Sequence, residues 1–178
     1  MELNIKKVKM NCKDVKETYF NAFPKDERMP FGMMVAMSKL WHTKLLSFYE
    51  SEKLCGFLYF AEMFDLIFVM FFAVDKKLQS KGYGSEILNE LKKHYPTKKV
   101  IVSIEHCMND KNTDMKRRKN FYLRNDFKET DYLIRMSGVE QEILVRNGQF
   151  SKAEFQIFLA LYSNGTLWPK IWRKKNGL

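Results

Sequence analysis

Asp75-Lys76-Lys77-Leu78-Gln79-Ser80-Lys81-Gly82-Tyr83-Gly84-Ser85 joins an apolar run of nine residues, 66–74, to a helical pattern over 85–95. Two glycines at the mouth of a helix let the backbone approach a ligand closely and accept unusual dihedrals. The first amides of that helix lack internal partners and sit at the positive end of its dipole, which suits a phosphate or diphosphate. Lys76, Lys77 and Lys81 add positive potential. The stretch is not GxxxxGK[ST], so a nucleotide P-loop is not indicated, and a GxGxxG dinucleotide fingerprint is absent. Gly82-x-Gly84 alone is equally explained by a plain strand-to-helix turn.

Upstream, residues 2–8 alternate apolar and polar side chains as an edge strand does. Residues 13–23 place Val15, Tyr19, Ala22 and Phe23 at helical spacing and stop at Pro24. The Met-rich segment 24–43, ending near Trp41, reads as an irregular helix-containing stretch whose methionines fill core. Residues 45–49, 54–61 and 66–74 read as successive antiparallel strands, the last apolar on both faces and so covered on both sides.

Downstream, Ile87, Leu88, Leu91 and Tyr95 share one helix face that ends at Pro96. A short buried strand, 100–104, and a basic helix, 116–124, follow. Strands at 127–130, 132–136 and 142–145 surround a turn at Ser137-Gly138, and Ser151-x-x-Glu154 opens a last helix as a capping box. The tail at 168–175 reads as basic and frayed. The order specifies an α+β fold, a mixed central sheet of about seven strands flanked by helices with an added C-terminal helix, rather than repeated βαβ units. The division expected is 1–148 for the main domain and 149–178 for the added helix and tail.

With 178 residues and 46% hydrophobic side chains, the chain can bury a sizeable core, and disorder is excluded. The net charge of +10 permits nucleic acid, anionic cofactors or acidic partners and selects none. Cys12, Cys55 and Cys107 are scattered and form no CxxC pair, which fits a reducing cytoplasm better than a disulfide framework. The N-terminus has no apolar core of a signal peptide. The stretch 54–74 carries Glu62 and Asp65 in its middle, and its clean apolar run is far short of the ~20 residues of a spanning helix, so no membrane role is expected.

Gln79 extends the glycine turn to Gln-x-x-Gly-x-Gly. In that form, after a buried strand ending Phe72-Ala73-Val74, it resembles the acetyl-CoA pyrophosphate loop of the GNAT N-acetyltransferase superfamily. Farther on, Asn120-Phe121-Tyr122-Leu123-Arg124-Asn125-Asp126-Phe127 is similar to the Phe-Tyr-x-x-x-Gly-Phe ending of that family's fourth helix. The resemblance covers residues 2–146. It implies acetyl-CoA as co-substrate, no metal, and direct transfer to an amine of a small molecule or peptide. Gln79, Ser80, Lys81, Gly82, Tyr83, Gly84 and Ser85 would then hold the diphosphate. The backbone of Phe72, Ala73 and Val74, on a strand splayed from its neighbour, would hold the pantetheine arm, and Tyr122 would protonate the leaving thiolate. Three positions depart from the family pattern. Asp126 stands for a glycine, but Asp tolerates a left-handed conformation. Met115 stands for an asparagine that Asn109 or Asn112 could replace. Phe68 stands where histone-type members carry a glutamate base.

The amine must lose a proton, so a carboxylate or a water chain is required. Glu105 is the first candidate and Glu62 the second, each with an equally ordinary reading as a solvated strand end. His106 and Cys107, as consecutive strand residues, would point to opposite faces and make no dyad. A competing class, a nucleic-acid-binding module, rests on the +10 charge, Lys116-Arg117-Arg118-Lys119 and Trp172-Arg173-Lys174-Lys175, but such runs more often form solvated faces. A non-catalytic acyl-CoA-binding protein lies between the two. The added helix, with Phe155, Phe158, Leu159 and Tyr162, either caps the sheet or forms a homodimer contact.

Overall fold

The computed structural model describes residues 2–40, 42–106, 113–136 and 138–174. Its elements begin with β1 (Asn4–Lys7), α1 (Lys13–Ala22), α2 (Phe31–Met37), β2 (Thr43–Glu50), β3 (Lys53–Met63) and β4 (Leu66–Val74). After a 3-10 turn at Lys76–Leu78 come α3 (Tyr83–His94), β5 (Lys99–Glu105) and α4 (Thr113–Arg124). The chain continues through β6 (Lys128–Met136), β7 (Val139–Arg146), α5 (Lys152–Tyr162) and β8 (Ile171–Arg173). The strands are ordered β1-β2-β3-β4-β5-β7-β6-β8. The α+β class is as expected, with eight strands among the described residues in place of about seven. Two compact units divide the chain, the first comprising Met1–Glu62 with Val69–Pro96 and the second Met63–Phe68 with Thr97–Leu178.

In the first unit β1 pairs antiparallel with β2, and β2 with β3. The β2–β3 register slips where Phe48 faces Gly56 but Tyr49 faces Leu54, leaving Cys55 as a bulge. Tyr19, Met34, Val35, Phe57 and Tyr59 form a buried cluster against which Phe71 of β4 packs. The fully buried Tyr19 places its hydroxyl between the backbone N–H and C=O of Met29, at 3.0 and 3.1 Å, so no polar group is orphaned there. Met34 is core filler as expected, whereas Met33 is exposed.

On β3, a Cβ at Gly56 would sit 2.4 Å from the Ala73 carbonyl oxygen and 2.9 Å from Ile87 Cδ1. Only glycine lets β4 and α3 close on β3 there. Gly56→Ala is therefore expected to cost about 2–3 kcal/mol through overpacking against backbone, or about 5–10 °C in Tm for a chain of this size. A melt that leaves the midpoint unmoved would refute this.

In the second unit β7 pairs antiparallel with both β5 and β6, and β6 with β8. The segment read as two strands, 127–130 and 132–136, is one irregular strand. Between Glu129 and Leu133 it advances four residues while β7 advances two, and Asp131 takes φ +59°. The tail read as frayed is also corrected. Ile171 is buried on the sheet, and Lys174 reaches the buried Glu142 at 2.8 Å. Lys119 joins the same carboxylate at 3.0 Å, and both lysines also contact Glu129. The hydrogen bond from Lys119 holds the Glu129 carboxyl below the usual carboxylate range. Lys175 and the Ser137 side of the hairpin turn lie outside the described residues.

Half of the expected capping box forms: the Ser151 hydroxyl accepts the Glu154 N–H at 3.3 Å, while the Glu154 carboxylate turns to Lys99 at 2.5 Å instead of reaching back to the Ser151 N–H. Phe155, Phe158 and Leu159 are buried, and Phe155 meets the Phe68 ring edge-on at 5.1 Å. The capping alternative for α5 is thus realised, and it explains an aromatic side chain at position 68. Burial on β4 falls off along the strand. Leu66–Val69 are buried, while Met70, Phe71, Phe72 and Val74 are half-buried. The expectation of cover on both faces therefore holds only for the first half. Among the described residues no helix is long and apolar enough to cross a membrane.

Candidate active site

In the first unit the strand end and the turn are built by local hydrogen bonds. The Asp75 N–H donates to the Cys55 carbonyl at 2.9 Å, and the Asp75 carboxylate accepts the Lys77 N–H at 2.9 Å, opening the 3-10 turn. Leu78 is buried and pins that turn to the core, whereas Gln79, Ser80, Lys81 and Gly82 are exposed. Gln79 folds back, its Nε2 donating to the Val74 carbonyl at 3.5 Å, so it braces the turn from within. Ser80 and Gly82 both take left-handed φ, +62° and +88°. A Cβ at Gly82 would meet nothing within 4 Å, so glycine is needed there for its dihedral and not for space.

Gly82 is the N-cap of α3, and among the described residues no side-chain hydrogen bond caps that N-terminus. The first intrahelical bond runs from the Glu86 N–H to the Gly82 carbonyl. The amides of Tyr83, Gly84 and Ser85 are therefore the orphan donors of the helix start. Ala73 is buried, with half-buried Phe72 and Val74 on either side of it. Glu50, at the end of β2 and marked by no local sequence pattern, accepts the Tyr83 hydroxyl on its Oε2 at 2.6 Å. That hydrogen bond, ahead of desolvation, pushes the Tyr83 hydroxyl up to about 12.

In the second unit Tyr122 lies near the end of α4, buried between the rings of Phe121 and Phe127, each edge-on at 5.2 Å. Burial pushes its hydroxyl up to about 12, opposed by the Arg118 charge one helical turn before it. The helix closes as the resemblance implied. The N–H groups of Asn125 and Phe127 both donate to the Tyr122 carbonyl, and Asp126 adopts φ +65°. The Asn125 side chain seals the end by donating to the Phe121 carbonyl at 2.7 Å.

Glu105 ends β5 and accepts from Arg118 at 3.2 Å. Arg118 is thus common to the surroundings of both proposed catalytic side chains, a link thirteen residues apart in sequence that no local pattern reveals. His106 continues the β5–β7 ladder, its N–H donating to the Glu140 carbonyl at 3.1 Å. Cys107, Asn109 and Asn112 lie outside the described residues. Glu62 belongs to the first unit, where it interacts with the Tyr95 hydroxyl, itself raised to about 12, by burial first and then by that carboxylate.

The model of the acetyltransferase (GNAT) domain matches residues 41–129. Among solved structures, a GNAT-family protein from Bacteroides thetaiotaomicron aligns with TM-score 0.76 at 17% identity, covering 92% of this chain and 99% of that one. PaiA N-acetyltransferase from Thermoplasma acidophilum, in complex with coenzyme A, aligns at 0.58 with 16% identity, covering 82% and 99%. A GNAT-family acetyltransferase from Elizabethkingia anophelis with acetyl-CoA bound aligns at 0.58 with 14% identity, covering 81% and 97%. A search of the curated proteins finds no match.

Proposed function

Because the chain belongs to the GNAT acetyltransferases, we propose that it is an acetyl-CoA-dependent N-acetyltransferase acting on a primary amine of a small molecule or peptide. The observation that carries this reading is the start of α3, an uncapped helix entered through left-handed Ser80 and Gly82 and flanked by Lys76, Lys77 and Lys81. Amides so left without partners bind a diphosphate without further rearrangement.

In this reading Gln79–Ser85 hold the diphosphate, and the backbone of Phe72, Ala73 and Val74 holds the pantetheine arm. Tyr122 donates a proton to the departing thiolate. A phenol raised to about 12 is neutral at physiological pH and so acts as donor, never as base. The low-polarity surroundings that raise the phenol also raise a thiol beside it, which keeps the two close in basicity. Glu105 is the proposed proton acceptor for the amine, oriented by Arg118. With Cys12 and Cys55 both free thiols, a reducing cytoplasm is the compartment that suits the chain.

In the basic run 116–119, Arg117 pairs with Asp114, Arg118 with Glu105, and Lys119 with Glu142 and Glu129, so part of its charge is balanced locally. Acetyl-CoA is expected to raise the Tm of the purified chain, and free thiol should be released from it with at least one member of a panel of amines, amino acids and peptides. No thermal shift and no thiol release across such a panel would refute the proposal.

A further inference from the structure

Among the contacts that tie the segment 73–87 to the β2–β3 hairpin within the first unit, three bear on the turn. The Asp75 N–H donates to the Cys55 carbonyl, and Gly56 lies directly against Ala73, Val74 and Ile87. Those two contacts fix the end of β4 and the body of α3. The third, from the Tyr83 hydroxyl to Glu50 at 2.6 Å, is the one that reaches a residue whose own N–H opens the helix. The crest between them has little to hold it. Ser80, Lys81 and Gly82 are exposed, and nothing lies within 4 Å of the position of a Gly82 Cβ.

We propose that Glu50 is a positioning residue for coenzyme A, anchoring the Tyr83 hydroxyl so that the N–H groups of Tyr83, Gly84 and Ser85 stay aimed at the diphosphate. This rests on the reading of the turn given above. A hydrogen bond to a carboxylate is short and directional, and it spends no binding energy on ordering the turn when the anion arrives. Glu50 accepts only, Tyr83 supplies the proton, and the phenol keeps that proton throughout the working pH range because the carboxylate raises its pKa. The tie also explains why a bulky aromatic stands between two glycines of the turn.

The test is a calorimetric titration of the full chain with coenzyme A, together with thermal melts of the free protein. Tyr83→Phe and Glu50→Ala should each weaken binding about five- to tenfold, the effect of one ordering hydrogen bond. The double variant should be no weaker than either single one, because both remove the same interaction. Glu50→Gln keeps an acceptor oxygen and should bind within about twofold of the parent. The melts should move by no more than about 2 °C, which separates lost aim from lost fold. Unchanged affinity in Tyr83→Phe and Glu50→Ala, losses that multiply in the double variant, or a Glu50→Gln protein as weak as Glu50→Ala would each overturn the assignment. A parent chain that does not bind coenzyme A overturns the proposed function and this inference together. A parent that binds while the variants match it overturns only the inference.

Discussion

Gly82→Glu is expected to weaken coenzyme A binding by at least about a hundredfold while leaving the fold intact. Position 82 is exposed and a Cβ there meets nothing, so the added side chain has room. Two penalties remain. At φ +88° an L-residue is strained by about 1 kcal/mol relative to glycine. The larger one is electrostatic. A carboxylate placed about 5 Å from a bound diphosphate at an effective dielectric of ~20 repels it by about 3 kcal/mol, which is itself roughly a hundredfold. The new carboxylate can also cap the free amides of α3 and so occupy the donors that the anion needs. Gly82→Ala, which carries the strain without the charge, should lose far less. Calorimetry with both variants separates the two, and a Gly82→Glu protein that retains parental affinity would remove the diphosphate from residues 79–85.

Tyr122→Phe should lower kcat about a hundredfold, within the usual range for loss of a positioned acid, and change KM for acetyl-CoA little. The phenyl ring keeps its packing on Phe121 and Phe127, so the variant isolates the hydroxyl. The pH dependence has a definite sign. The charged form is the one burial disfavours, so the hydroxyl stays protonated up to about 12, and kcat should not decline on its account between pH 8 and 10. The same shift makes the phenol a source of stability below about pH 10 that is lost as pH climbs toward 12. The variant should therefore resist alkaline unfolding better than the parent. Turnover unchanged in Tyr122→Phe would end its role as proton donor.

What could be read from the chain alone was whatever neighbours in sequence decide. The α3 boundary follows from Gly82 and Pro96, and the start of α5 from Ser151 and Glu154, because dihedral needs and capping act within a few residues. The left-handed turn at Asp126 and the placement of Tyr122 on the last turn of α4 were legible for the same reason. Residues whose roles depend on a partner far along the chain were not. Gly56 looks like any strand glycine until Ala73 and Ile87 are brought against it. Glu50 and Tyr83 are 33 residues apart, and Lys174 and Glu142 are 32 apart. The bulge that merges two expected strands into β6, and the burial of Ile171 that turns a basic tail into β8, also come from register. Register is set by the summed packing of whole strands. Tertiary structure alone therefore decided which acids meet which bases and which part of β4 stays half-buried.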